Sequence, residues 1–133
     1  MNIKVLCFDF DGVINLYAGW QNEGFDVILG TPIPGAKETI QKLRNKGYLV
    51  LTHSTRCSYP GGAVAVTEYL NKHNIRVDGV CSNKPPADIY IDDKGLTFNG
   101  DWSTMIEAIE TFKPWDEICA DSNKKLPPGQ TES

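Results

Sequence analysis

Four short apolar runs, each stopping at a cluster of polar residues, constrain this chain more than any other feature. Residues 4–10 stop at Asp11-Gly12, and residues 48–53 run into Ser54-Thr55-Arg56. Residues 77–81 are followed by Lys84 ahead of Pro85-Pro86, and residues 89–91 stop at Asp92-Asp93. Runs this short and this continuously apolar read as buried strands. Helical patterns lie between them. In residues 35–46, Ala36, Ile40 and Leu43 share a face, and Gly47 is placed to end the helix. In residues 63–73, Ala63, Val66 and Leu70 face inward and Asn74 closes the helix. In residues 104–112, Met105, Ile109 and Phe112 share a face, and Thr104 with Glu107 spells a capping box. Alternating strands and helices predict an α/β, Rossmann-like three-layer sandwich, with a parallel sheet and helices on both faces.

The chain has 133 residues, enough for one modest core. The expected layout is a single domain over 1–120 and a loose polar tail over 121–133, where Lys, Pro and Gly accumulate. A formal charge of −4 weighs against a nucleic-acid-binding surface and leaves nucleic acid only the role of substrate. No stretch is long and apolar enough to span a bilayer, so no membrane partner is expected. The first residues run straight into a strand without a signal-peptide layout, which points to the cytoplasm. Cys7, Cys57, Cys81 and Cys119 are scattered, with no C-x-x-C pair, as expected for reduced thiols. Residues 15–31 are rich in glycine and aromatics and have no period. They read as an irregular flap or short hairpin, with Tyr17, Trp20 and Phe25 as its packing or recognition surface.

In a parallel sheet, ligands bind beyond the carboxyl ends of the strands. That edge would gather Asp9, Asp11, Ser54, Lys84, Asp92 and Asp93. Carboxylates packed together repel one another, and a divalent cation removes the repulsion. Hard oxygen ligands favour Mg2+, which takes one or two carboxylates together with substrate phosphate. Asp9 and Asp92 are the expected ligands, with Asp11 and Asp93 completing the candidate metal set. The choice between Asp92 and Asp93 as direct ligand stays open. Asp9 would then attack phosphorus. Asp11 would protonate the leaving oxygen and later activate water. Ser54 and Lys84 would hold the remaining phosphate oxygens. Gly12 lets the backbone turn, and Gly12, Thr55 and Arg56 complete the substrate-facing set.

This arrangement resembles the haloacid dehalogenase-like superfamily over most of the chain. Asp9-x-Asp11-Gly12-Val13 is similar to its first motif, Ser54 to its second, Lys84 to its third, and Ile91-Asp92-Asp93 to its fourth. The resemblance implies a magnesium-dependent phosphomonoester hydrolase working through an aspartyl-phosphate. Within that superfamily the chain looks like the small branch without a cap domain, since neither gap between motifs is long enough to hold one. Arg56 has a counterpart in small members of that branch, two residues after the Ser/Thr. Lys84 and Asp92 lie close in sequence, so Lys84 must enter from an abbreviated loop. An open site admits a phosphorylated small molecule or a phosphorylated polymer end, and a homo-oligomer could cover it.

Other readings compete. D-G is a common turn pair, Lys84 alone reads as a loop lysine, and His53 reads as a packed or surface histidine. A phospho-receiver-like signalling module also uses an Asp acceptor, an acidic pair, a Ser/Thr and a Lys. Its acidic pair comes first, whereas here the acidic pair comes last. A non-catalytic phosphate-binding protein that kept the fold is the third class.

Overall fold

The computed structural model describes residues 4–16 and 24–115. Tyr17, Gly19, Trp20, Cys119 and the expected tail lie outside the described residues. The four apolar runs form β1 (Val5–Asp9), β2 (Leu49–His53), β3 (Gly79–Cys81) and β4 (Ile89–Ile91). They make one parallel sheet in the order β3-β2-β1-β4. Helix α1 (Ala36–Asn45) connects β1 to β2, and α2 (Gly62–Lys72) connects β2 to β3.

Both helices end as their sequences suggest. Gly47 takes a φ of 97°, which lets the N–H of Tyr48 reach the Leu43 carbonyl at 3.1 Å and close α1. Asn74 takes a φ of 57° and closes α2 in the same way, with the Ile75 N–H on the Leu70 carbonyl at 2.9 Å. Asparagine is among the few residues that tolerate this region.

The two crossovers step the same way across the sheet, so right-handed connections put α1 and α2 on one face. Ile40 of α1 and Val66 and Leu70 of α2 accordingly share one buried cluster with Val50 of β2 and Phe10. Thr52 lies within this core fully buried, and its hydroxyl donates to the Phe8 carbonyl at 2.8 Å.

Among the described residues, the expectation of helices on both faces is met on the face that α1 and α2 cover. Residues 82–88, between β3 and β4, contain no helix, being shorter than the dozen or so residues that a helical crossover needs. The third helix, α3 (Met105–Thr111), buries none of its residues. Its expected capping box does not form. Thr104 makes no side-chain cap bond, and its hydroxyl donates to the Asp101 carbonyl at 3.1 Å. A 3-10 turn, Trp102–Thr104, precedes α3, and Asp101 caps that turn by accepting the Ser103 N–H at 2.9 Å.

Two aspartates close the opposite, amino-terminal edge of the sheet. Asp88 accepts the Val5 N–H at 2.7 Å, and Asp78 accepts the Val50 N–H at 2.8 Å. Arg44 pairs with Asp78 at 2.8 Å and holds that carboxyl below the usual range.

The two isoleucines Ile40 and Ile109 should respond differently to truncation. Ile40 is 1% exposed and Ile109 61%. Ile40→Ala should lose about 2–5 kcal/mol of stability. Ile109→Ala should stay within about 0.5 kcal/mol of the parent. Denaturant unfolding of both variants measures this, and similar losses would contradict the one-sided core.

Candidate functional site

Register decides which groups meet at the carboxyl edge of the sheet. Asp9 pairs with His53 of β2, and Phe8 pairs with Ile91 of β4, so Asp92 follows directly beside Asp9. Asp9, Asp92 and Asp93 each offer an oxygen, and these oxygens all lie within 4.8 Å of one another. Asp9 is further tied to the chain by the Phe10 N–H, which donates to its Oδ1 at 2.9 Å. Gly12 is the reason Asp93 can approach. Its φ is 86°, and a side chain there would collide with the Asp93 carboxylate.

A cavity of about 360 Å³ opens over this edge. It is lined by Asp9, Asp11, Phe25, His53, Ser54, Thr55, Arg56, Asp92, Asp93 and Lys94. Ser54 is buried, and its Oγ accepts the Arg56 N–H at 3.2 Å, which caps a 3-10 turn, Thr55–Ser58. That bond uses the oxygen as an acceptor and leaves the hydroxyl hydrogen as a donor.

Asp11 stands apart from the three clustered carboxylates. Its Oδ2 accepts the Arg56 Nε–H at 2.7 Å. Its Oδ1 accepts from Arg56 Nη2 at 3.3 Å and from Asn15 Nδ2 at 3.0 Å. Asn15 is fully buried, and its Oδ1 accepts the Tyr69 hydroxyl at 2.8 Å. Asp11 is thus oriented from two sides.

Lys84 does not line the cavity. Its Nζ lies 4.2 Å from the centroid of the Tyr90 ring, a cation–π contact. The Tyr90 hydroxyl donates to the Pro85 carbonyl at 2.6 Å and accepts the Ala87 N–H at 3.1 Å, which folds the short β3–β4 connection around the ring. Tyr90 pairs with Cys7, and Cys7 and Asp9 share a sheet face. Lys84 therefore lies on the face that carries Asp9, beside the position two residues back from it. Burial pushes the Cys7 thiol up, and the nearby Lys84 charge opposes that rise.

Lys94 and Asn15 join the site without standing out in the sequence, and His53, which reads there as a packed or surface residue, lines the cavity. Lys94 follows Asp92-Asp93 directly, and its N–H donates to Asp92 Oδ1 at 2.9 Å, a turn that brings it to the cavity. A lysine adjoining an acidic pair was the available signal. Asn15 had none, because its role depends on Tyr69, far away in the chain. Comparison with known protein families, with curated proteins and with solved structures finds no match to this chain. Among the described residues, no helix is long and apolar enough to cross a membrane.

The electrostatics of the cluster are those of carboxylates crowded together. Burial, followed by the charge of Asp92, raises the Asp9 carboxyl to about 7. Asp93 is also raised, first by burial and then by its hydrogen bond with Asp92. A carboxyl whose pKa is higher in the folded chain stabilises the fold most below its unfolded pKa. That contribution is lost as pH rises through the folded value. Without divalent cations, stability should therefore fall between about pH 4 and about pH 7. Asp9→Asn should flatten this slope in denaturant titrations across that range. An unchanged slope would assign the effect to other groups.

Proposed function

We propose that this chain is a magnesium-dependent phosphomonoester hydrolase that works through an aspartyl-phosphate on Asp9. The observation that carries the reading is the convergence of Asp9, Asp92 and Asp93 in the same cavity as Asp11 and Ser54. The resemblance to the capless branch of the haloacid dehalogenase-like superfamily supports it through the order of the four motifs.

The donor set fits Mg2+: three carboxylates offer hard oxygens within reach of one ion, and a cation would offset both the burial and the charge of Asp92 that raise Asp9. Asp9 and Asp92 would hold it, with Asp93 beside them. The ion would supply charge neutralisation, which lets an anionic phosphate approach a carboxylate. Asp9 attacks phosphorus, forming an oxygen–phosphorus bond as the bond to the leaving oxygen breaks. Asp11 gives a proton to that oxygen. It then takes a proton from the water that attacks phosphorus, and Asp9 is freed as inorganic phosphate forms. Ser54 donates to a phosphate oxygen. Lys94 is the lysine lining the cavity, and Lys84 would reach it by leaving Tyr90.

That position of Lys84 favours a second reading, a non-catalytic phosphate-binding protein. The two part on turnover. Hydrolysis of an aryl phosphate should require Mg2+, stop with excess chelator, and vanish in a folded Asp9→Asn variant. Phosphate binding without turnover, or full activity in that variant, would overturn the hydrolase. Asp11→Asn should slow hydrolysis of a poor leaving group by roughly 10²–10⁴-fold while sparing an activated aryl phosphate far more. Equal losses on both substrates would leave Asp11 without the proton-transfer role.

A further inference from the structure

We propose that Arg56 is a positioning residue that locks Asp11 to the segment of residues 25–29, and that it does not bind substrate phosphate. The proposal rests on the reading of Asp11 as the proton-transfer group.

Arg56 is 2% exposed, and its guanidinium is almost fully engaged within the protein. Nε–H donates to Asp11 Oδ2 at 2.7 Å, and Nη2 to Asp11 Oδ1 at 3.3 Å. Nη1 donates to the Val27 carbonyl at 2.8 Å and to the Phe25 carbonyl at 3.3 Å. A guanidinium has about five N–H donors. One on Nε, two on Nη1 and one on Nη2 are used, so no pair remains for the two-pronged grip by which arginine recognises phosphate. A buried charge also needs its partner in place, which favours a fixed ion pair over one exchanged for substrate.

The partners are as informative as the count. Arg56 joins Asp11 to the carbonyls of Phe25 and Val27. Asn15 repeats the pattern, donating from Nδ2 both to Asp11 Oδ1 and to the Leu29 carbonyl at 3.3 Å. Two buried side chains thus hold the same carboxylate and the same stretch of backbone. Phe25 lines the cavity, and its ring stacks on Tyr59 with centroids 3.8 Å apart. A displacement of this wall must strain the donors that aim Asp11, so the wall position and the orientation of Asp11 are coupled.

Arg56→Lys separates the two roles, because lysine keeps a charge for phosphate but cannot span Asp11 and two carbonyls. The variant should keep KM within about 3-fold for activated and poor aryl phosphates, and lose at least ~10-fold in kcat for the poor one alone. Asn15→Ser should show the same selectivity, which covers the case in which Arg56→Lys fails to fold. Hydrogen exchange supplies a readout independent of turnover. Amides of residues 25–31 should exchange faster in either variant while those of β1 and β2 keep their protection. A rise in KM shared by both substrates, with kcat kept, would make Arg56 a phosphate ligand and overturn the proposal. Unchanged exchange at 25–31 would overturn the coupling, even if the parent chain hydrolyses nothing and only the hydrolase reading fails.

Discussion

The placement of β1 between β2 and β4 is the constraint on which the rest of the structure depends. Hydrogen bonding on both sides fixes its register twice, to Leu49–His53 on one edge and to Ile89–Ile91 on the other. A slip of one residue would turn Asp9 to the other face and separate it from Asp92. The buried cluster on the helical face resists such a slip, since Phe10 and Val50 pack there with Ile40, Val66 and Leu70. Packing on one face thus holds in place the groups that repel one another at the edge.

Two carboxylates only two residues apart meet opposite surroundings. Asp9 is partly buried among other acids, and its pKa rises to about 7. Asp11 faces a guanidinium and an amide that take both its oxygens. The contrast arises locally. Asp9 belongs to the strand, while Asp11 lies beyond it in the turn where the Phe10 carbonyl accepts the N–H groups of Val13, Ile14 and Asn15.

Much of this was legible from residue order. Strand ends follow from where apolar runs stop, and the closures at Gly47 and Asn74 follow from local backbone preference. The acidic cluster was readable for the same reason, since parallel strands must deliver their next residues to one edge. What failed depended on contacts between distant residues or on displaced local structure. Thr104 and Glu107 have the spelling of a capping box, but the 3-10 turn ahead of α3 shifts the cap to Asp101. Residue order leaves Arg56 open between a substrate contact and a salt bridge, and its bonds to the carbonyls of Phe25 and Val27 join it to residues about thirty positions away. Lys84 is expected at the carboxyl edge, and it lies over the Tyr90 ring, level with Cys7, two residues short of Asp9.

The stretch from Gly24 to Thr31 raises the question of how an irregular backbone can lie against a half-buried carboxylate. Backbone carbonyls that leave water need donors, and a segment without a ladder supplies few of its own, here the Val27 N–H on the Gly24 carbonyl at 3.0 Å. Here side chains provide them: Arg56 serves Phe25 and Val27, and Asn15 serves Leu29. The backbone contributes at the far end, where the Leu16 N–H reaches the Thr31 carbonyl at 2.8 Å. The same donors that satisfy the segment also satisfy Asp11, so one pair of side chains serves both. The Tyr69 hydroxyl on Asn15 Oδ1 extends this dependence to α2 and, through the edge-on contact of Tyr69 with Phe10 at 5.0 Å, to the core beneath β1. The polar network at the cavity is thereby anchored in the same packed cluster that sets the register of the sheet.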